Sequence, residues 1–411
     1  MLKQAHFKFS VFTGRILHLG VSGSIAAYKM LDLIRAWKNV GINVSVTLTK
    51  GATNFVTPMS FSALGASHVY GEMFDDKADS CFAHLEPGQE ADVMVIAPAT
   101  ASTISRLATG SAEEMLAAQA LAFDGPTVIS PAMHPKMWAN KATQANWATL
   151  KERGYICVEP ACGQTACGEQ GEGRMTDVRE IYLAALKALS PQDLEGQTVL
   201  ITIGPTREFW DGVRFISNPS SGLMGASLAI AAYLRGATVQ AVCGPGVPWL
   251  PKLINRHEVS TANEMLDVCQ NIWPSSTLGC FTAAVCDFKP NIPANVEAGE
   301  KLKKETLGAS PCLQLEATPD VLRTLSQSKK DNQRIIAFAA ETSELKENAL
   351  KKMSEKNADM IVANIVGKPN TGFESPNNTV MLLEKSGKSM NLPAMPKADI
   401  AWRIWDSFLQ L

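Results

Sequence analysis

Short apolar runs alternate with longer amphipathic stretches along the first half of the chain. Each run is continuously apolar, which is typical of strands buried on both faces of a parallel sheet. The stretch between the first two runs, residues 25–40, has helical periodicity and stops at Gly41. The pattern therefore predicts alternating strands and helices. The predicted strands are residues 16–21, 44–48, 93–97 and 127–129.

The second half repeats this alternation after a break. A helical pattern at 178–189 ends at Ser190-Pro191, and a polar stretch follows it. We predict a boundary there, with domains 1–190 and 191–411, each a Rossmann-like three-layer α/β domain with a mostly parallel sheet. The elements predicted for the second domain are strands at 198–203, 238–242, 280–285, 334–339 and 359–363, a helix at 223–235, a hairpin at 377–393 and a closing helix at 396–411.

Composition narrows the class of protein. The chain has 411 residues, 46% hydrophobic content and a formal charge of −2, which indicates neither nucleic acid nor a membrane as partner. No apolar run reaches the roughly 18 residues of a spanning helix. Nine cysteines occur without a C-x-x-C pair, so we expect reduced thiols in a cytoplasmic protein rather than a disulfide scaffold.

A glycine- and serine-rich turn, G-V-S-G-S-I-A-A-Y-K, follows the first predicted strand. Backbone amides at such a strand-to-helix turn can bind a phosphate, but the turn could equally need glycine for its geometry alone. Thr49 stands where a dinucleotide site usually has an acidic residue, so a mononucleotide fits better than NAD. A second such loop, 97–106, follows the strand at 93–97. Two loops of this kind at one edge of the sheet favour a ligand pocket there over turns that need glycine only for their geometry.

Cys167 lies in a run of small residues, G-Q-T-A-C-G-E-Q-G-E-G-R-M, at 163–175. We predict a mobile loop here, neither helix nor strand, that presents the thiol. The alternative is an ordinary cysteine that fills space. On the residues alone both interpretations stay open.

Specific motifs carry a resemblance to known families. In the first half S-G-S-I-A-A-Y-K, H-L-E, A-P-A-T-A, P-A-M-x-x-x-M-W and A-C-G-E resemble the flavin-dependent cysteine decarboxylases, especially those acting on phosphopantothenoylcysteine. In the second half I-S-N-P-S-S-G-L-M-G, T-A-A-V-C-D-F, E-K-L-K-K, A-T-P-D-V, F-A-A-E-T and G-F-E-S-P-N-N resemble phosphopantothenate–cysteine ligases. The order is that of the bifunctional coenzyme A biosynthesis proteins.

For the first half the resemblance implies a flavodoxin-like fold and an FMN-dependent decarboxylation of 4′-phosphopantothenoylcysteine to 4′-phosphopantetheine. It assigns Cys167 as the proton donor of the last step and His84 as an active-site histidine. His134 stands where the family has a substrate-binding asparagine, so substrate binding by His134 and Met137 is expected to differ in detail. The residues implied for FMN are Ser22, Gly23, Ser24, Thr49, Ala99, Thr100 and Thr103.

For the second half the resemblance implies ligation of cysteine to 4′-phosphopantothenate, with CTP and Mg²⁺, through an acyl-cytidylate on which Asn218 acts. No G-x-x-x-x-G-K-[ST] motif is present. Ile365 stands where the family commonly has Asp, which could weaken nucleotide or metal handling. The residues implied for the nucleotide are Asp287, Lys301, Thr318, Pro319, Asp320, Val321, Phe338, Lys352 and Lys356.

The resemblance also implies a homo-oligomer, trimeric through the first domain and dimeric through the second.

Two alternative functions remain at this point. One is another flavin-dependent cysteine decarboxylase whose ligase half is impaired. The other is a flavin-binding regulatory protein of the same fold, against which the presence of both His84 and Cys167 argues.

Overall fold

The chain folds into two compact units in the computed structural model, which describes residues 4–73, 82–164, 167–291, 301–303, 312–341, 350, 352–365 and 375–410. The first unit extends to Pro191, apart from Ala5–Lys8. The second consists of Gln192–Leu411 together with Ala5–Lys8.

The first unit alternates strands and helices as its apolar pattern predicts. Strands β1 to β8 are Ile16–Val21, Asn43–Leu48, Val69–Tyr70, Val93–Ala99, Thr127–Pro131, Ile156–Cys157, Ala161–Gln164 and Gln170–Arg174. Helices α1 to α8 are Met30–Lys38, Pro58–Ala63, Glu86–Glu90, Ala101–Thr109, Met115–Leu121, Pro135–Trp138, Lys141–Glu152 and Val178–Leu189.

The first six strands form one parallel sheet in the order β3-β2-β1-β4-β5-β6. All residues of β4 are buried because helices cover both faces. On one face Ile104, Leu116 and Trp147 pack against Ile96 and Ile129, and α1 and α8 cover the other. The chain order reverses between β1 and β4, which is where open α/β sheets bind ligands.

The second unit has the same plan with an added hairpin. Strands β9 to β20 are Thr198–Ile203, Arg207–Phe209, Phe215–Ser217, Thr238–Cys243, Asn255–Glu258, Leu278–Phe281, Phe288–Pro290, Leu315–Ala317, Arg334–Glu341, Met360–Ile365, Asn377–Glu384 and Ser389–Pro396. Helices α9 to α12 are Leu223–Leu234, Ala262–Ile272, Val321–Gln327 and Lys397–Phe408.

Its main sheet has the order β13-β12-β9-β14-β17-β18-β19-β20, parallel except at the last two pairings. Helix α9 is almost wholly buried because it lies between the sheet and α12. Both units are thus mostly parallel α/β layers, and the predicted fold class is confirmed.

Two local predictions are wrong. Residues 163–175 do not form an irregular loop, because β7 and β8 pair there as an antiparallel hairpin. A glycine-rich ladder is held by backbone hydrogen bonds and has no side-chain pattern to reveal it. The strand predicted at 280–285 ends at Phe281, where the Thr282 hydroxyl bonds the carbonyl of Thr202 at 2.6 Å as the chain leaves the ladder.

Candidate functional sites

In the first unit Ser22 joins the turn after β1 to the turn after β4. Its hydroxyl, 1% exposed, donates to the carbonyl of Pro98 at 2.6 Å and accepts from the amide of Thr100 at 2.9 Å. The single hydroxyl proton is committed to Pro98, so Ser22 shapes the crevice between β1 and β4.

The next two residues of this turn fit a phosphate. A Cβ on Gly23 would lie 2.8 Å from the carbonyl carbon of Gly51, so only glycine allows the turns after β1 and β2 to approach this closely. Ser24 caps the helical turn Ile25–Lys29 by accepting from the amide of Ala26 at 3.3 Å. Within the part of the chain that the structure describes, the amide of Gly23 and the hydroxyl proton of Ser24 have no acceptor. These donors stand at a helix start, as a phosphate-binding turn requires.

The remaining residues predicted for FMN lie beside this turn. Thr49 follows β2 and is 5% exposed, and Ala99 is the buried last residue of β4. Thr100 caps α4 by accepting from the amide of Thr103 at 3.3 Å, and the two hydroxyls are 3.1 Å apart. The structure therefore brings all seven predicted residues to the carboxyl ends of the adjacent strands β2, β1 and β4.

Cys167 is exposed at the turn of the β7–β8 hairpin. Two glycines of β8 fix this hairpin to the segment before α6. A Cβ on Gly171 would lie 2.7 Å from Cβ of Pro135, and one on Gly173 would lie 2.7 Å from the carbonyl oxygen of Met133. The amide of Met133 also donates to the carbonyl of Gly173 at 2.9 Å. The thiol is thus carried on a docked hairpin.

His134 contacts the same hairpin. Its Nδ1 accepts from the amide of Lys136 at 3.2 Å, and its Nε2 lies 3.1 Å from Oε2 of Glu169. Because Nδ1 is an acceptor, the proton of the neutral ring is on Nε2, which donates to Glu169. In this arrangement His134 is bonded to the hairpin, while Met137 of α6 is 49% exposed.

His84 lies in the turn at 82–85 before α3, and a buried polar cluster supports that turn. Gln119, 0% exposed, donates from Nε2 to the carbonyl of Ala83 at 3.0 Å and accepts at Oε1 from the Thr47 hydroxyl at 2.6 Å. Nε2 of His18 lies 3.2 Å from the same oxygen. Burial lowers the pKa of His18 to about 3, although the hydrogen bond to Gln119 raises it. The described residues show no hydrogen bond between His84 and Cys167.

The second unit contains a cavity of about 650 Å³ at the carboxyl ends of its strands. Eight of the nine residues predicted for the nucleotide line it, together with Asn218. The exception is Lys301, which is exposed and is not among the lining residues. Those eight are Asp287, Thr318, Pro319, Asp320, Val321, Phe338, Lys352 and Lys356.

Asn218 holds the loop between β14 and β15 that forms one wall. Its Nδ2 donates to the carbonyls of Ala284 and Val285 at 3.2 and 3.0 Å. Farther along, the amide of Thr318 donates to the carbonyl of Asp287 at 3.0 Å. With both amide protons committed, Oδ1 of Asn218 is the atom it can offer to a ligand.

The two cavity lysines that were predicted for the nucleotide are anchored differently. Lys352 donates to the carbonyl of Phe338 at 2.8 Å, and Lys356 pairs with the carboxylate of Asp320. Asp320 also caps α11. Burial by itself raises the pKa of Asp320, but bonds from Lys356 and the amide of Arg323 outweigh it and hold that pKa below its usual range.

Several further polar residues that sequence reasoning did not assign to the nucleotide line this cavity, among them Asn364, Asn378 and Lys397. Lys397 is 4% exposed, and burial lowers its pKa to about 8. The only sequence signal was a lysine at the start of the closing helix, which looks like an ordinary surface residue. The side chain of Ile365 lies outside what the structure describes.

Two family descriptions divide the chain where the structure divides it. Residues 13–189 match the family described as Flavoprotein. Residues 194–411 match the family described as DNA/pantothenate metabolism flavoprotein C-terminal domain.

Full-length relatives match over nearly the whole chain. The coenzyme A biosynthesis bifunctional protein CoaBC of Vibrio vulnificus is 37% identical over 391 residues, covering 95% of this chain and 96% of the relative. Its counterpart in Bacillus subtilis is 38% identical over 398 residues, covering 96% of each. That of Escherichia coli is 39% identical over 382 residues, covering 91% of this chain and 92% of the relative.

Solved structures match the halves separately. The C-terminal domain of a CoaBC protein is 36% identical, with a TM-score of 0.45, and covers 53% of this chain and 97% of that one. The FMN-dependent cysteine decarboxylase SpaF is 32% identical, with a TM-score of 0.38, and covers 44% of this chain and 99% of that one.

Among the described residues, no helix has the length and apolar character to cross a membrane, and no group of three His, Cys, Asp or Glu is placed to hold a metal. The relatives confirm the resemblance carried by the motifs, and the chain belongs to the family of bifunctional coenzyme A biosynthesis proteins.

Proposed function

We propose that this chain makes 4′-phosphopantetheine in two steps. Residues 191–411 would join cysteine to 4′-phosphopantothenate with CTP, and residues 1–190 would decarboxylate the product with FMN. The observation that carries the proposal is the cavity in which eight predicted nucleotide residues meet Asn218. Residues that match a motif and also converge in space form a site rather than a coincidence of sequence.

In the ligase half, the chain's own residues meet the charge of the nucleotide. Lys352 and Lys356 provide fixed cations on one wall, and the exposed carboxylate of Asp287 provides an oxygen ligand on another. Mg²⁺ is usually held by one or two carboxylates plus substrate phosphates, so Asp287 with a bound nucleotide would suffice. Oδ1 of Asn218 would accept a hydrogen bond from the reacting group.

In the decarboxylase half, bound FMN would supply the redox chemistry, first as the acceptor of two electrons and later as their donor. The Gly23 amide and the Ser24 hydroxyl would hold its phosphate, and Thr49, Thr100 and Thr103 would line the crevice beside it. Cys167, on its hairpin, would give its thiol proton to the substrate carbon in the last step. His84 would orient the substrate from the turn before α3.

Exposed apolar side chains support assembly into a homo-oligomer. In the first unit Met59 is 74% and Tyr28 is 56% exposed, and in the second Phe288 is 54% and Phe215 is 41% exposed. We assign a trimeric contact to the first unit and a dimeric contact to the second, as in the resemblance, and a cytoplasmic location to the whole. Light scattering of the purified protein tests the assembly.

One assay tests both activities. The purified protein is supplied with 4′-phosphopantothenate, cysteine, CTP and Mg²⁺, and pyrophosphate and carbon dioxide are measured together. Both should form, and Cys167→Ser should still release carbon dioxide but fail to complete the aminothiol product. A protein that binds no flavin and releases no carbon dioxide, or one that forms no pyrophosphate with either CTP or ATP, refutes the corresponding half.

A further inference from the structure

We propose that Gln119 is a positioning residue for the decarboxylation, because its side chain holds the turn that carries His84. The inference rests on the proposed function of the first unit and adds a residue to it. Gln119 lies on α5 and is fully buried, so it acts on the reaction only through another residue. That residue is His84, which directly follows Ala83, the residue that Gln119 bonds.

The orientation of His84 depends on the turn in which it lies. Within the described ranges, the His84 side chain forms no hydrogen bond or ion pair. The direction of its imidazole is therefore set by the backbone of residues 82–86. In that turn the carbonyl of Phe82 accepts from the amides of Leu85 and Glu86, at 2.7 and 3.3 Å. These two bonds close the turn, but they do not fix it to the rest of the unit.

Two side chains fix the turn on either side of His84. Nε2 of Gln119 donates to the carbonyl of Ala83 at 3.0 Å. The hydroxyl of Tyr70 donates to the carboxylate of Glu86 at 2.7 Å. The first bond lies in the interior and the second is partly buried. The bond from Gln119 is therefore the one that water can replace least.

The orientation of the Gln119 amide is fixed by its other neighbours. Its Oε1 accepts from the Thr47 hydroxyl at 2.6 Å. Since that hydroxyl has a single proton, Nε2 of His18 donates to it at 3.0 Å, and the same Nε2 lies 3.2 Å from Oε1. Nδ1 of the neutral ring then accepts from the Ser45 hydroxyl at 2.8 Å. A flipped Gln119 amide would set its oxygen against the carbonyl of Ala83, so the network keeps the donor on that side.

This network connects the turn of His84 to the strands that lead to the proposed flavin site. His18 lies on β1 and Thr47 on β2, and the turns predicted to hold FMN follow these two strands. Gln119 thus sets the position of the turn relative to the strand ends that would hold the flavin. Misplacement of a reacting group by about 1 Å can cost a hundredfold in rate, so the loss of this bond should be visible in turnover.

The test is a double-mutant cycle between Gln119→Leu and His84→Asn in the full-length protein loaded with FMN. Leucine fills much of the space of glutamine but has no donor. The substrate is 4′-phosphopantothenoylcysteine, supplied directly, so that only the first unit turns over. The kcat and KM for carbon dioxide release are measured, together with the flavin absorbance and the melting temperature.

Gln119→Leu should lower kcat by about tenfold when His84 is present and by less than about twofold in the His84→Asn background. Flavin absorbance should be retained in all variants. A residue that only supports the fold would instead lower kcat by the same factor in both backgrounds.

Two further variants separate position from stability. Gln119→Leu leaves His18 and Thr47 without an acceptor, so it should melt at a lower temperature. The triple variant His18→Leu, Thr47→Val, Gln119→Leu removes those polar groups as well and should regain stability. The carbonyl of Ala83 still lacks its donor there, so turnover should stay low. Leu186→Ala, a buried change on α8, should lower the melting temperature and leave the turnover of the folded protein unchanged.

Equal losses from Gln119→Leu with and without His84 would overturn the inference, as would full turnover of the triple variant. An equal loss of turnover in Leu186→Ala would also overturn it, because turnover would then follow stability. If His84→Asn alone turns over as fast as the parent, the proposed role of His84 fails and this inference fails with it. If the unmodified protein loaded with FMN releases no carbon dioxide, the proposed decarboxylase function itself is refuted, and with it this inference.

Discussion

His134 donates from Nε2 to Glu169, 3.1 Å away, across the contact between the segment before α6 and the β7–β8 hairpin. Glu169 is two residues from Cys167 in the chain. His134 therefore helps to hold the element that carries the proposed proton donor. Lys136 adds a contact at 3.4 Å to the other carboxylate oxygen of Glu169.

The first prediction concerns this contact. Glu169→Gln removes the charge that both His134 and Lys136 approach, so the hairpin should open more often. The pair is partly exposed, so we expect only a severalfold increase in the rate of amide hydrogen exchange along β8, measured by mass spectrometry. The control is Glu172→Gln, an exposed glutamate of the same hairpin. Equal exchange rates in both variants and the parent would show that the pair does not restrain the hairpin.

The second prediction concerns the docking of β8. Gly173 has a φ of 139° and its Cα faces the carbonyl of Met133 at a distance that admits no side chain. Gly173→Ala should displace the hairpin and reduce formation of the aminothiol product by about tenfold or more while carbon dioxide is still released, since misplacement of a reacting group by about 1 Å can cost a hundredfold. Gly168→Ala is the comparison, because that glycine has positive φ but open space around it. Flavin absorbance should be retained in both, and full activity of Gly173→Ala would contradict the docking argument.

The sequence predicts those features of this structure that depend on local residue patterns, and it does not predict those that depend on tertiary contacts. Continuous apolar runs such as β4 predict their own burial, and motif residues after β1, β2 and β4 converge because parallel strands end at one edge. The hairpin that carries Cys167 is held by glycine contacts with Met133 and Pro135, so no residue pattern marks it. The lowered pKa of Lys397 arises only because the rest of the unit buries its side chain, so the sequence alone does not predict it.

A third prediction follows from the buried histidine. The pKa of His18 is about 3 in the folded protein and about 6.5 when exposed, so the unfolded state takes up the proton as the pH falls. The stabilising contribution is complete above about pH 6.5 and is lost as the pH falls below it. At pH 5 the loss should be about 2 kcal/mol. Unfolding of the parent and of His18→Asn is measured at pH 7 and pH 5. A pH dependence equal in the two would show that His18 is not the group responsible.

The fourth prediction concerns Asn218. Its Nδ2 donates to two carbonyl oxygens of the 284–285 loop, and an aspartate would set a carboxylate oxygen against them. Asn218→Asp should lower turnover by about tenfold to a hundredfold, because unpaired and repelled polar groups cost about 1–3 kcal/mol. The acyl-cytidylate should accumulate on the enzyme and be detectable by mass spectrometry. Asn255→Asp, the same change on exposed β13, should be silent. Normal turnover without accumulation would exclude Asn218 from this step.

The last prediction separates Lys301 from the lysines of the cavity. The residue after Lys301, Leu302, is held by side chains that do not line the cavity. Its amide donates to Asp211 at 3.3 Å, and its carbonyl accepts from Arg214 at 3.4 Å. Lys301 does not line the cavity, so it can assist only by reaching the nucleotide during the reaction. Such a group stabilises the transition state more than the bound substrate, and its loss lowers kcat with little change in affinity.

Lys301→Gln should therefore reduce pyrophosphate release at saturating CTP while leaving the Kd for CTP nearly unchanged. Lys352→Gln, on the cavity wall, should weaken CTP binding itself by about tenfold. The neighbouring exposed Lys303→Gln controls for the general loss of a positive charge. If Lys301→Gln matches Lys303→Gln in both kcat and Kd, Lys301 is a solvated surface lysine, and the nucleotide site consists of the cavity residues without it.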